Sequence, residues 1–232
     1  MKKFFMITPL QPRKPFDQLE YTKYEAVGNS KLEFHETRFP IMAVINGYAE
    51  KGEEIRLIAV TPETENTPYR IEQLKAELKA LQEEKGFLCP YGEDGVDVVS
   101  LTYAGDVATQ IELFHKLLPY IEDNDILYGC LTYGDKPMPI AELMAIQYGY
   151  RVLNNVSIGC LVYGEKDHSK IIGNKLDKNG KVITNKAGEP ILDYASRIFD
   201  ITALVQLDEI VRMLADRKVK NPNEIINDIL SL

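Results

Sequence analysis

The sequence predicts an α/β protein in which a mostly parallel sheet carries helices on both faces. Short apolar runs alternate along the chain with longer stretches that repeat apolar residues at helical spacing. Most of the apolar runs are continuous, as strands covered on both faces require. Strands separated by helices of this length form parallel βαβ units. A chain of 232 residues can bury a substantial core, so one Rossmann-like domain accounts for nearly all of it.

The predicted elements follow one another in regular alternation. The apolar runs predict strands at residues 3–8, 54–61, 96–103, 125–131, 156–163 and 195–201. Apolar residues at helical spacing predict helices at about residues 39–49, 69–85, 107–121 and 137–153. A polar, proline-containing stretch separates the first strand from the first helix, and we expect a long loop there. Arg56 and Asp97 interrupt two of the apolar runs and are interpreted as marks of strand edges.

The last third of the chain has a different character, because it is polar and rich in glycine. Asn179-Gly180 is a turn pair between short β-prone pieces, which predicts a β-hairpin insert at about residues 168–192. Apolar residues at helical spacing and a late proline predict C-terminal helices. We therefore divide the chain into a Rossmann-like ligand-binding domain at residues 1–201, which includes the insert, and C-terminal helices at residues 202–232.

Composition limits the partners. The net charge is −8, so a long nucleic acid is a poor partner, whereas a small anion held by local positive groups is compatible with it. Cys89, Cys130 and Cys160 form no C-x-x-C pair, which suits thiols in a reducing cytoplasm. No apolar run approaches the length of a signal peptide or a membrane span. We expect a cytoplasmic protein without a membrane partner.

The segment after the strand at 125–131 is the most informative one. Thr132 and Gly134 come at the end of the strand, Lys136 follows, and Pro137 opens a helix. A strand, a glycine turn and a helix N-terminus together favour an anion, usually phosphate. The alternative is an ordinary strand-to-helix junction, in which the threonine caps the helix and the lysine is solvated.

A second segment is expected at the same edge of the sheet. Ligands of open α/β sheets bind where the strand order reverses. If the strands at 3–8 and 125–131 flank that point, Thr8, Pro9, Gln11, Arg13 and Lys14 join the glycine turn there. Alternatively, the two cations are solvated loop charges.

Several chemistries are excluded by the absence of their motifs. No G-x-G-x-x-G follows a strand, so a dinucleotide cofactor is not expected. No G-x-S-x-G elbow occurs. His35, His115 and His168 are scattered and form no ligand set for a metal. An enzyme built from this chain would work without a metal, a cofactor or histidine acid–base chemistry.

Four segments resemble a known family. They are LTYGDKPMP, MITPLQ, AVINGY and FDITAL, which occupy residues 131–139, 6–11, 43–48 and 199–204. Through these segments the chain resembles the CRISPR-associated Rossmann-fold (CARF) proteins, the ligand sensors of type III CRISPR systems, over roughly residues 2–218. LTYGDKPMP is the most specific match, and the other three segments support it.

The resemblance implies a homodimer that binds a cyclic oligoadenylate, the tetra- or hexa-adenylate ring, on its two-fold axis. A ring with two-fold symmetry requires the same groups from each subunit. The motif match implies ligand contacts from Thr8, Pro9, Gln11, Thr132, Tyr133, Gly134, Lys136, Pro137 and Met138. Tyr21, Tyr24 and Phe34 in the first long loop either stack on adenines or pack the loop.

Two functions remain open within this family. One is a sensor whose ligand-bound dimer is recognised by an effector domain or protein. Because no histidine follows His168, we expect no nuclease of the HEPN type within this sequence. The other is a metal-independent ring nuclease, in which a ribose 2′-hydroxyl attacks its own phosphodiester while Lys136 stabilises the developing charge. An ordinary nucleotide-using α/β enzyme is a third possibility without a supporting fingerprint.

Overall fold

The computed structural model describes residues 1–9, 21–64, 67–102, 106–176, 180–185, 187–217 and 220–230. In these ranges the chain forms a seven-stranded, mostly parallel sheet with helices on both faces, and the predicted fold class is confirmed. The strands are β1 (Lys2–Ile7), β2 (Tyr24–Val27), β3 (Ile55–Pro62), β4 (Val96–Leu101), β5 (Ile126–Cys130), β6 (Ser157–Asn174) and β7 (Leu192–Asp200). The helices are α1 (Ile41–Tyr48), α2 (Thr67–Lys85), α3 (Val107–Leu117), α4 (Pro137–Val152), α5 (Thr202–Asp216) and α6 (Pro222–Leu230).

The strand order across the sheet is β2-β7-β6-β5-β1-β3-β4. β1 pairs in parallel with β3 on one side and with β5 on the other. After β2, which lies at the far edge, the chain builds outward from β1 through β3 and β4, then returns to β5 and builds outward through β6. Among the seven described strands, β6 and β7 are the one antiparallel pair. The strand order therefore reverses between β1 and β5.

The side chains of β1 divide between two hydrophobic cores. Phe4 and Met6 pack with α1 and α2 on one face of the sheet, while Phe5 and Ile7 pack with α3 and α4 on the other. Full burial of each phenylalanine stabilises the fold by about 1.5–3 kcal/mol. Burial on both faces explains why this strand reads as an uninterrupted apolar run.

A buried ion pair joins β1 and β5 at their N-terminal ends. Lys3 is fully buried, and its Nζ lies 2.7 Å from an oxygen of Asp125, which is also buried. Glu122 lies 2.7 Å from the same ammonium, and the amino group of Met1 is 3.2 Å from the second Asp125 oxygen. This cluster holds the two central strands together at the edge opposite their C-terminal ends.

The structure corrects three local predictions. The first long loop contains an additional strand, β2, which pairs in parallel with β7 at the edge of the sheet. β6 runs to Asn174, well beyond the predicted end at residue 163, because its distal part leaves the covered sheet and can be polar. The predicted hairpin is therefore a continuation of β6 and β7, with Leu176 and Val182 bridged across the predicted turn. Asn179 itself lies outside the described residues.

The third correction concerns Arg56, whereas Asp97 lies on β4, an edge strand of the sheet, as the sequence predicts. Arg56 lies on β3, an interior strand, and its Nε donates a hydrogen bond of 2.6 Å to Asp97 on the neighbouring β4. The two charges interrupt apolar runs because they neutralise each other across adjacent strands.

The C-terminal helices differ in how they contact the sheet. α5 is attached at its start: the Leu161 amide donates to the Thr202 hydroxyl at 2.8 Å, and Val205 is buried in the second core. Arg151 at the end of α4 forms ion pairs with Asp208 and Glu209 of α5. The described side chains of α6 are exposed, except that of Ile226, which is partly covered.

Candidate functional site

The candidate site lies where the strand order reverses, at the C-terminal ends of β1 and β5. These strands are neighbours in the sheet, which places the segment after β1 beside the segment after β5. Crevices of this kind are where open α/β sheets bind ligands. Gln11, Arg13 and Lys14 fall outside the described residues, so the first of these segments is described only for Thr8 and Pro9.

Gly134 sets the path of the turn after β5. Its φ of +97° lies in the left-handed region that side chains disfavour. A Cβ at this position would stand 3.1 Å from Cγ2 of Ile7 and 3.2 Å from Cβ of Met138. Both neighbours are buried. The turn therefore packs directly over the end of β1, at a distance that only glycine allows without displacement.

Helix α4 presents an N-terminus with local positive charge. Lys136 occupies the N-cap position, is exposed, and makes no capping hydrogen bond through its side chain. Pro137 opens the helix, and its first turn contains no acidic residue. The amide of Met138 donates to the Asp135 carbonyl at 2.8 Å. The first turn itself carries no carboxylate, although the exposed Asp135 immediately precedes Lys136. The Lys136 ammonium and the helix end together favour an anion.

The two threonines at the site are engaged within the protein. The hydroxyl of Thr132 accepts a hydrogen bond from the Gly164 amide at 2.9 Å, which links the end of β5 to β6. Thr8 is 1% exposed, and its hydroxyl donates to Thr61 at 3.1 Å. In this arrangement both hydroxyls hold the backbone in place around the turn, and Pro9 is partly exposed next to them.

Tyr133 ties the glycine turn to the segment before α1. Its phenol donates to the Arg38 carbonyl at 2.9 Å and also hydrogen-bonds to the phenol of Tyr24. Burial, together with the proximity of Tyr24, raises the pKa of Tyr133 well above its usual value. The phenol therefore stays protonated and acts as a hydrogen-bond donor.

A charged cluster that the sequence did not predict supports this contact. The Arg38 guanidinium lies 3.0 Å from the Glu77 carboxylate and donates to the Tyr21 hydroxyl at 2.9 Å, stacking over the Tyr21 ring at 3.9 Å. Thr37 donates to Glu77 at 2.6 Å. Burial raises the pKa of Glu77, although the bonds from Thr37 and Arg38 oppose the shift. Widely separated parts of the chain meet here, so local sequence patterns carry no signal for it.

The three predicted stacking aromatics are not brought together in one stack. Tyr21 lies against Arg38, Tyr24 contacts Tyr133, and the ring of Phe34 lies 3.9 Å from that of His35. Tyr24 and Phe34 do line one open cavity of about 890 Å³ next to β2. That cavity has a mixed charge, since lysines and glutamates both line it.

Comparisons of the sequence with known proteins add no identification. No protein-family model matches the chain, and no curated protein matches its sequence. The function is therefore argued from the fold and from the geometry at the end of β5.

Two of the segments cited for the family resemblance meet away from the turn. The amide of Asn29 donates to Asp200 at 2.6 Å and to the Tyr48 hydroxyl at 2.8 Å. Asp200 in turn accepts from the Thr202 amide at 2.9 Å. This network fixes the start of α5 against the end of α1. It is a positioning contact and lies outside the candidate site.

The described residues around the turn favour binding over side-chain catalysis. Burial raises the pKa of the Cys130 thiol to about 12, so it is not a nucleophile at neutral pH. No group of three or more His, Cys, Asp or Glu side chains converges among the described residues. Within the same ranges, no helix is both long enough and apolar enough to cross a membrane. What the arrangement supplies is a rigid turn, a helix end and an ammonium.

Proposed function

We propose that this chain is a CARF-type sensor of type III CRISPR antiviral defence, which binds a cyclic tetra- or hexa-adenylate as a homodimer. One observation carries the proposal. The glycine turn, with Lys136 at the start of a helix whose first turn contains no acidic residue, packs over the end of β1 at the reversal of strand order. Phosphates are the anions that such helix ends bind best.

The ligand geometry accounts for the need for two subunits. A cyclic oligoadenylate with two-fold symmetry presents the same phosphates to each half of a symmetric site. In the proposed complex, each subunit supplies one Lys136 and one helix end, while Thr132 and Tyr133 keep the turn in position through Gly164 and Arg38.

Replacement of Lys136 tests the proposal. Lys136→Ala is expected to weaken binding of the ring by about 1.5–3 kcal/mol, the scale of a charge-assisted hydrogen bond. Because the lysine is exposed, the thermal midpoint is expected to stay unchanged. Isothermal titration calorimetry with each ring measures the affinity, and Lys79→Ala, an exposed lysine on α2, is the matched control. If Lys136→Ala binds as tightly as the wild type, or if no ring binds at all, the proposal fails.

The geometry of the same site also bears on whether the protein cleaves the ring that it binds. The described residues at the turn provide no nucleophile or general base, because Tyr133 is held protonated and the hydroxyls of Thr8 and Thr132 are engaged in the sheet. We expect tight binding with slow cleavage or none. Any cleavage product is expected to carry a 2′,3′-cyclic phosphate, and EDTA to have no effect. Chromatography of rings incubated with the protein checks this, and fast, metal-dependent cleavage would contradict it.

A further inference from the structure

The strand β2 lies at one edge of the sheet, and among the described strands β7 is its one neighbour. In the part of the chain that the structure describes, the backbone of residues 24–27 hydrogen-bonds to β7 alone. An edge strand presents a row of backbone N–H and C=O groups to which a further strand can pair. The outer edge of β2 is therefore open to another chain.

The opposite edge of the sheet, β4, is closed by the protein itself. Val96 and Glu93 exchange two backbone hydrogen bonds of 3.2 Å at the start of this strand. Near its end, Nζ of Lys116 donates to the Ser100 carbonyl at 2.8 Å. These contacts occupy backbone groups that would otherwise pair with another chain. The two edges of the sheet therefore differ, and β2 is the accessible one.

A cavity of about 890 Å³ runs along the open edge of β2. Tyr24, Glu25 and Ala26 all line it. Successive side chains of a strand point to opposite faces of the sheet. A cavity that is lined by three residues in a row therefore lies along the edge of the strand rather than on one face.

Residues 33–35 form another wall of this cavity. Just before β2, Thr22 and Thr37 are bridged in antiparallel orientation through two backbone hydrogen bonds of 3.0 Å. Beyond this bridge, the described residues of the two segments form no further pair. The space between them has the backbone of β2 on one side and the ring of Phe34 on another, which suits an extended peptide segment.

The charges of the cavity favour a basic segment. Three glutamates and two lysines are among the described residues that line it. Lys170 lies 3.7 Å from Glu25, so this pair is neutral as a unit. Glu33 and Glu84 are exposed and outnumber Lys23. The cavity therefore attracts positive charge, and the net charge of −8 of the whole chain acts in the same direction.

We propose that the open edge of β2 binds an extended, basic segment of a partner protein. The segment adds a strand outside β2, so its main chain supplies affinity, and a lysine or arginine side chain beside Glu33 and Glu84 supplies specificity. This surface goes beyond the proposed function and does not depend on it. None of the measurements below uses a ring, so failure here is distinct from failure of ring binding.

The probe is a fluorescent synthetic heptapeptide in which valine and lysine alternate, and the readout is its anisotropy with the full chain. Wild type is expected to bind it. A peptide with glutamate in place of each lysine is expected to bind at least about tenfold more weakly, and so is a lysine peptide that is N-methylated along its backbone, which keeps its charges but has no main-chain donor. Equal binding of the N-methylated peptide overturns strand addition.

Variants of the protein locate the site. Glu84→Lys is expected to weaken binding of the lysine peptide at least about threefold, because it reverses one charge of the cavity. The fold is expected to stay intact, since Glu84 is exposed. Glu83→Lys is the matched control, because Glu83 is exposed on the same helix and lies outside the described lining of the cavity. Equal weakening by both variants, or no binding of the lysine peptide, overturns the proposal.

Two further measurements identify the strand and its occupant. In heteronuclear NMR, the backbone amides of β2 are expected to shift when the lysine peptide is added, while those of β4 stay in place. Shifts confined to other elements overturn the assignment to β2. Sedimentation of wild type with and without the peptide tests for a second copy on this edge. A self-associated chain that the peptide dissociates would mean that a second copy occupies β2, and the proposal of a partner protein would be wrong.

Discussion

Glu142 offers the sharpest prediction about stability. This residue of α4 is fully buried in the second core, near Gly129 of β5. Among the described residues, neither carboxyl oxygen has a partner with hydrogen-bond geometry. Burial raises the pKa of Glu142 well above its usual value, and the nearby amide of Cys130 offsets only part of that effect. The native state therefore holds this side chain as a neutral acid.

The sign of the pH dependence follows from where the proton is bound. The unfolded chain loses this proton near pH 4.3, whereas the native state keeps it to a higher pH. Between the two pKa values the native state binds more protons, so the free energy of unfolding falls as pH rises. The contribution of Glu142 to this slope reaches about 1.4 kcal/mol per pH unit.

Two substitutions measure the effect. Glu142→Gln keeps the shape and cannot ionise, so the difference in unfolding free energy between variant and wild type is expected to grow in favour of the variant from pH 5 to pH 8. Glu142→Met also removes both buried oxygens and is expected to stabilise the protein by about 1–3 kcal/mol at neutral pH. Urea denaturation followed by circular dichroism at each pH provides both quantities.

The exposed Glu83 on α2 supplies a control. Glu83→Gln is expected to change the unfolding free energy by less than about 0.5 kcal/mol, because its side chain is in water. A difference between wild type and Glu142→Gln that stays constant with pH would show that the native carboxyl is ionised, and the reasoning from burial would be wrong.

Further predictions concern the turn, the central ion pair and the thiols. Gly134→Ala is expected to destabilise the fold by about 1–3 kcal/mol, from its positive φ and its close contacts, as thermal denaturation would measure; an unchanged midpoint would mean that the turn relaxes freely. Lys3→Met is expected to lower the free energy of unfolding, measured by urea denaturation, by about 3 kcal/mol, because Asp125 loses a buried partner. A decrease below about 1 kcal/mol would show that the amino group of Met1 is enough to compensate the charge of Asp125. Cys130 and Cys160, whose pKa values burial raises to about 12, are expected to resist iodoacetamide at pH 8 and to react in urea, and equal rates would contradict their burial.

The sequence predicted those parts of the fold that depend on local pattern. Apolar runs located β1, β3 and β5, because strands buried on both faces must be apolar throughout. The sequence analysis placed β1 and β5 side by side on the condition that they flank the reversal of strand order, and the observed pairing agrees with that placement. The position of Gly134 could be predicted as well, because a strand followed by a turn and a prolyl helix start has a local signature.

The remaining features depend on contacts between distant residues. β2 is short and lies at a sheet edge within a polar stretch, so no periodic pattern distinguishes it. Arg38 and Glu77 read as ordinary surface charges, and only folding brings them to 3.0 Å. Glu142 reads as a solvent-facing position on α4, yet it is buried. A sequence pattern indicates the usual environment of a side chain. At these positions contacts between distant residues determine the environment instead.

The central position of β1 has a consequence for how the protein folds. Both of its neighbours come much later in the sequence, and Lys3 meets Glu122 across 119 residues. Contacts of such long range slow folding, because the intervening chain must be closed into a loop before they form. During synthesis, β1 can pair with β3 first, but its other side has no partner strand until β5 has emerged from the ribosome. In that interval the nascent chain is open to aggregation and is a natural client for chaperones that cover apolar segments.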